Sequence, residues 1–320
     1  MNKFQVECPS NILLNRKEFI AFLGNNADLG IKILVNPESV CLTRSGVYDI
    51  LDTYKFNSVE ITTFNPLEQH LEYNIIYKNS LLWFDHGTKN SYLVNNSLKQ
   101  WNKSKVFMAM YGRPTADRLG IGSYLLERYP SDTVLTFNGK VDSEDNRKHF
   151  QLTELFTWDP PSLSRCNNLI NQLSTKSADR SKYTNLGYDY SDILTNSYQD
   201  IFVDIVSETM YNGRSFVPSE KTVRPMLLKK PFIISGPCDF LTNLRRLGFK
   251  TFDQYWSEEY DGNDGASSYR KILQLIDTIG SKSKDELVDM YNSMKDILDH
   301  NHNMIVNMEW NKNATFVYLN

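Results

Sequence analysis

At 320 residues the chain is about twice the length of a usual domain, so two lobes are the opening expectation. A content of 41% hydrophobic and 12% aromatic residues supplies a core and excludes a disordered chain. The 35 basic and 38 acidic side chains leave a net charge of −3, which excludes a global field drawing the protein to nucleic acid or to a membrane surface.

The first buried strand is expected at Ile31–Val35, closed by Asn36-Pro37. A helix follows with Ser45 as its cap, because Val47, Ile50, Leu51 and Tyr54 share one helical face. Val59–Phe64 alternates and is rich in β-branched residues, so it reads as the next strand. Leu81–Phe84 is a third apolar run, placing Asp85, His86 and Gly87 at a strand's carboxyl end. Between Lys89 and Lys105 the composition turns polar, and the lobe boundary is expected there. Val106–Met110 is a strand, Tyr111–Pro114 a turn, Leu119–Arg128 a helical face and Asp132–Phe137 another strand, together a βαβ unit.

Residues 139–195 are polar and punctuated by Asp159-Pro160-Pro161, without a clear period. Regularity returns with a strand over Asp200–Val206 and a loop at Tyr211–Arg214. Ser219 caps a helix over Glu220–Lys229, and Phe232–Gly236 is a further buried strand. A helix over Asp239–Leu247, a short strand over Phe249–Phe252, and helices over Tyr269–Ile279 and Lys284–His300 complete the pattern, the last capped by Ser283. The expected fold class is α/β, with two Rossmann-like lobes facing across a cleft.

The cysteines, Cys8, Cys41, Cys166 and Cys238, form no CxxC pair and suit a reducing compartment. No apolar run approaches the roughly 20 residues of a membrane span, and the first residues carry no export signal, so a cytoplasmic, unanchored protein is expected.

Two clusters combine turns, caps and charge. In Gly112–Arg118, Arg113 and Arg118 stand beside a helix start, where unpaired N–H groups favour a phosphate; solvated arginines are the plainer alternative. The second cluster is Ser207-Glu208-Thr209 followed by Ser219-Glu220-Lys221 and Arg224. Its carboxylates can hold ribose hydroxyls and Lys221 can neutralise phosphate, or the group is simply a capped helix with an acid in its first turn. Neither a GxGxxG nor a GxxxxGKS sequence is present, and no Asp-X-Asp pattern implies a metal.

The stretch SETMYNGRSFVPSEKTVRPMLLKKPFIISGP, then LRRLGFKTFD, resembles glycosyltransferase-like proteins of tailed bacteriophages and, remotely, the donor-binding half of the fucosyltransferases. In that family a strand leads to Phe-Glu-Asn-Ser, a Thr-Glu-Lys motif opens a helix, and a hydrophobic strand runs into Gly-Pro. Glu208, the Ser219-Glu220-Lys221 triplet and Gly236-Pro237 hold the corresponding places. The likeness covers residues 105–137 and 200–253, about half of the chain; Ser219 replaces the family's Thr, and Ser-Glu-Thr its Phe-Glu-Asn.

The resemblance implies a GT-B-like protein with an acceptor lobe over 1–100, a nucleotide-sugar lobe over 103–280 and a helical segment over 281–320 near the lobe junction. It implies a nucleoside-diphosphate sugar as donor substrate, with Glu220 on the ribose, Lys221 and either Arg113 or Arg118 on the diphosphate, and Glu208 near the sugar. Inverting transfer to a hydroxyl needs a general base, for which Asp85 and His86 are the candidates and Glu60 and Glu68 the rivals. A hydroxymethylated base of duplex phage DNA and a surface glycan are the acceptors considered. The competing class is a non-catalytic protein that sequesters a nucleotide.

Overall fold

The computed structural model describes residues 1–8, 12–35, 40–78, 81, 84, 100–112, 114–137, 160–175, 197–263 and 265–307. They form two α/β lobes facing each other, each built on a four-stranded parallel sheet flanked by helices.

The first lobe runs β1 (Asn2–Val6), α1 (Arg16–Asn25), β2 (Gly30–Val35), α2 (Val47–Leu51), β3 (Ser58–Thr63) and β4 (Asn74–Tyr77), and its strands lie in sequence order. Ile31, Ile33 and Val35 alternate with half-exposed neighbours along β2 and meet Phe19 and Leu23 of α1 and Val47, Ile50 and Leu51 of α2 in one core. β1, α1 and β4 carry too little apolar pattern to be predicted: β1 buries only Val6, and α1 only Phe19 and Leu23. Asn15 ties this region down, its amide joining Gln5 O and Glu7 N.

Ser45 is not the cap of α2. Its hydroxyl donates to Leu42 O, and the helix starts from Gly46, whose φ of 71° lies in the left-handed region that glycine tolerates. Leu81 and Phe84 do not form a strand either; Phe84 is helical, its N donating to Leu81 O, and both side chains are buried in the core of the second lobe, with Phe84 stacked on Phe249 at 5.0 Å. The polar stretch expected to hold the lobe boundary lies mostly outside the described residues.

The second lobe runs β5 (Phe107–Tyr111), α3 (Ala116–Arg128), β6 (Thr133–Phe137), α4 (Pro160–Thr175), β7 (Val203–Ser207), α5 (Glu220–Leu227), β8 (Phe232–Ser235), α6 (Phe240–Arg246), α7 (Gly265–Gly280), α8 (Lys284–Ser293) and α9 (Lys295–Asn307). Every residue of β5, β7 and β8 is buried, as befits parallel strands covered on both faces. The strand order is β6-β5-β7-β8, so the chain leaves β5 towards one edge and returns on its other side at β7. This reversal is the place where open α/β sheets bind ligands, at the carboxyl ends of the strands. The described strands of the first lobe, in the order β1-β2-β3-β4, show no such reversal.

Two further expectations are corrected. Residues 249–252 make no strand, because the Asn301 amide takes both backbone groups of Lys250, at 2.8 Å each. The helix expected over Lys284–His300 is two, broken at Met294. The Tyr255 hydroxyl donates to Ser293 O at 2.6 Å while Ile297 N turns to Met294 O, so the regular ladder is interrupted by an inserted side chain. The break sends α9 along α5, where His302 meets Leu227 O. Ser283 caps α8 in a reciprocal capping box with Glu286. Among the described residues no helix is long and apolar enough to cross a membrane.

Candidate functional site

The carboxyl ends of β5 and β7 bring the two sequence clusters together. Arg118, in the first turn of α3, is 4% exposed and spans from one to the other. Its Nε donates to Ser207 Oγ at 3.2 Å, and its Nη2 to Ser207 O and Glu208 O at 3.0 Å each. Asp117 beside it accepts from Thr115 Oγ1, Ser207 Oγ and Ser235 Oγ, so the ends of β7 and β8 and the start of α3 close on one carboxylate. Arg118 thus fixes the end of β7.

Glu208 links that strand end to α5. Its Oε1 accepts from Ser219 N at 3.1 Å and from Thr222 Oγ1, taking up donors at the helix start. Its Oε2 is buried and has no hydrogen-bond partner among the described residues. The Tyr111 hydroxyl, at the end of β5, is likewise buried and unpartnered among them. A buried carboxylate oxygen without a donor costs about 1–3 kcal/mol or more, an expense that a ligand hydroxyl would remove.

Ser219 is the cap that its sequence position suggested, accepting from Lys221 N at 3.2 Å. The Lys221 ammonium reaches back to Ser219 Oγ and to Glu220 Oε1, both at 3.1 Å, so acid, cap and lysine form one cluster at the mouth of α5. Arg224 is not part of it. Buried in the lobe core, its Nε donates to the Tyr198 hydroxyl at 2.9 Å, and Tyr198 in turn donates to Asp204. Burial raises the Asp204 carboxyl to about 6, with the Arg224 charge and the Tyr198 hydrogen bond acting in the other direction.

Arg113, Asp85 and His86 lie outside the described residues. Of the rival bases, Glu60 pairs across the sheet with Lys32. Glu68 is buried at the lobe junction, accepting from Leu42 N, the Tyr48 hydroxyl and Asn65 Nδ2, and burial raises its carboxyl above the usual range.

Asn65 joins the lobes. Fully buried, it accepts from Phe216 N at 3.1 Å and donates to Arg214 O at 3.0 Å, and both belong to the loop that leads into α5. Met210, from the same loop, is buried in the core of the first lobe. Asn65→Ala is therefore expected to cost about 2 kcal/mol in urea unfolding, from the backbone groups left unpaired. It should also speed hydrogen exchange at the Phe216 amide; unchanged exchange there would show that Asn65 does not hold the loop.

Asp117, Thr222, Tyr198 and Asp204 were not singled out in the sequence. A lone acid within the apolar run Ile201–Val206 was the available signal for Asp204, since a buried carboxylate demands a partner. Thr222, three residues after the cap, was the signal for a second donor facing Glu208. Among the described residues no three His, Cys, Asp or Glu side chains are grouped to hold a metal ion. No family model matches the chain, and neither a curated protein nor a solved structure matches it.

Proposed function

We propose that the protein is a nucleotide-sugar-dependent glycosyltransferase whose second lobe holds the donor at the strand-order reversal between β5 and β7. The observation that carries this reading is the buried, unpartnered Glu208 Oε2, placed on the residue that caps α5 beside the Glu220–Lys221 pair. The chemistry there is an acceptor for a ligand hydroxyl next to a cation and a helix start that favour phosphate. The resemblance to the donor-binding half of fucosyltransferases supports the same assignment, with Glu220 on the ribose and Lys221 on the diphosphate.

Arg118 is engaged with the strand end, so in this reading Arg113, next to Gly112 in sequence, supplies the guanidinium to the diphosphate while Arg118 keeps Glu208 in place. In inverting transfer the acceptor oxygen bonds to the anomeric carbon. The bond from that carbon to the phosphate oxygen breaks, and its electron pair leaves on the nucleoside diphosphate. The acceptor proton passes to Asp85 or His86, the proposed base. Lys221 and the α5 mouth stabilise the departing charge.

Released nucleoside diphosphate, measured over a panel of uridine and guanosine diphosphate sugars, tests the proposal. Release that depends on an added acceptor, either hydroxymethylated duplex DNA or a glycan, is the expected result. Tight binding with no release under any condition would assign the protein to nucleotide sequestration instead, and neither binding nor release would overturn both. Lys221→Ala and Glu220→Ala are each expected to weaken donor binding about tenfold, or ~1.4 kcal/mol, the scale of one charge-assisted contact at a partly exposed site. Calorimetric titration of the donor measures this, and unchanged affinity in the folded variants would remove these residues from the site.

A further inference from the structure

A cavity lies at the far end of α5, where Leu228 and Lys229 follow the helix and α8 bends into α9. It measures about 510 Å³, within the range of small-ligand sites. Eight helical residues at about 1.5 Å each separate it by roughly 12 Å from the mouth that begins at Glu220. Among the described residues that line it, Trp101 and Tyr291 supply aromatic surface, while Lys103, Lys229 and Lys295 bring three cations against the single carboxylate of Asp299.

The partners of these groups leave the charge uncompensated. Lys229 is neutralised by Asp299 at 2.8 Å, whereas the one ion-pair partner of Lys103 among the described residues is Asp285, 3.8 Å away and almost fully exposed. No carboxylate lies within 4.0 Å of Lys295 among the described residues. Trp101 and Tyr291 are held in place, the indole N–H on Lys105 O and the Tyr291 hydroxyl on Lys229 O at 3.0 Å. Behind the Tyr291 ring, 5.1 Å from its centroid, sits the ammonium of Lys230, which is 1% exposed and has Ile201 O as its hydrogen-bond partner. Burial lowers the Lys230 ammonium to about 7, with the charge of Asp200 acting in the other direction. The carbonyls at the end of α5 do not require these lysines, because Arg224 O, Pro225 O, Met226 O and Leu227 O are taken by Leu228 N, Lys230 N, Lys229 N and His302.

We infer that this pocket binds a small planar anion, an aromatic or heteroaromatic ring bearing a phosphate, with the ring against Trp101 and Tyr291 and the phosphate towards Lys103 and Lys295. Nucleoside monophosphates, in which a ribose joins the heteroaromatic base to the phosphate, present the same two groups. The site does not use the α5 mouth, so its test stands apart from that of the glycosyltransferase reading.

Phenyl phosphate is the probe, titrated calorimetrically into the full chain, with phenol and inorganic phosphate as the ring and the anion alone. Saturable binding of phenyl phosphate, weaker binding of inorganic phosphate and none of phenol are expected. Lys295→Glu, a surface change that leaves the core intact, should weaken binding at least about tenfold, and Lys221→Ala should leave it unaltered. Lys230→Met should also weaken binding while holding or raising the Tm, since removing a buried charge relieves the fold; a merely structural lysine would leave the affinity unmoved. Absence of binding, or binding that Lys221→Ala abolishes and Lys295→Glu does not change, overturns the inference.

Discussion

Arg224→Ala is expected to destabilise the protein by about 3–5 kcal/mol at neutral pH, the cost of leaving a buried carboxylate without its cation. Asp204 is fully buried in β7 and depends on Arg224 through the Tyr198 hydroxyl that lies between them. Its carboxyl is already raised to about 6 by burial. A carboxyl raised in the folded state favours folding most fully below its unfolded value and loses that contribution as the pH climbs through the folded value. In Arg224→Ala the folded value climbs further, so the deficit relative to the wild type should be greatest above pH 7 and should shrink as the pH falls to about 5. Urea unfolding at the two pH values measures it. A deficit that is small, or that grows on acidification, would show that the Tyr198–Asp204–Arg224 chain does not support the lobe as described.

Glu208→Gln is the corresponding result for the candidate site. The amide oxygen can still accept from Ser219 N and Thr222 Oγ1, so the start of α5 stays capped and the Tm should change little. The unpartnered oxygen becomes an amide NH₂, which donates where a ligand hydroxyl needs an acceptor. A buried hydrogen bond to a charged group contributes about 1.5–3 kcal/mol, so donor affinity should fall roughly ten- to hundredfold. Undiminished donor binding in Glu208→Gln would mean that Oε2 faces no ligand.

The interior of the second lobe was legible because β5, β7 and β8 are near-continuous apolar runs, as parallel strands covered on both faces are. The edges of the first lobe were not: β1 and β4 lie at the two margins of their sheet and bury few residues, leaving no alternation to read. The break between α8 and α9 was hidden because its cause is Tyr255, remote in sequence from the helix that it interrupts. At the site, Ser219 was readable as a cap, since capping is a local matter of side-chain type and position. The directions of Arg118 and Arg224 were not, because each is set by partners on β7 or before it, distant in sequence. Two arginines of similar local setting end as a strand clamp and a core counter-charge, a distinction that depends on tertiary contacts alone.

The α5 mouth, with Glu208, Glu220 and Lys221, is the proposed seat of a pyrophosphate-linked ligand. Calorimetric titration with uridine and guanosine diphosphates, in the wild type and in Lys221→Ala, Glu208→Gln and Lys295→Glu, tests it most directly. Saturable binding of one of the two that weakens about tenfold or more in Lys221→Ala, and persists in Lys295→Glu, is the predicted outcome. Binding of neither nucleotide, or binding indifferent to both Lys221→Ala and Glu208→Gln, would contradict it.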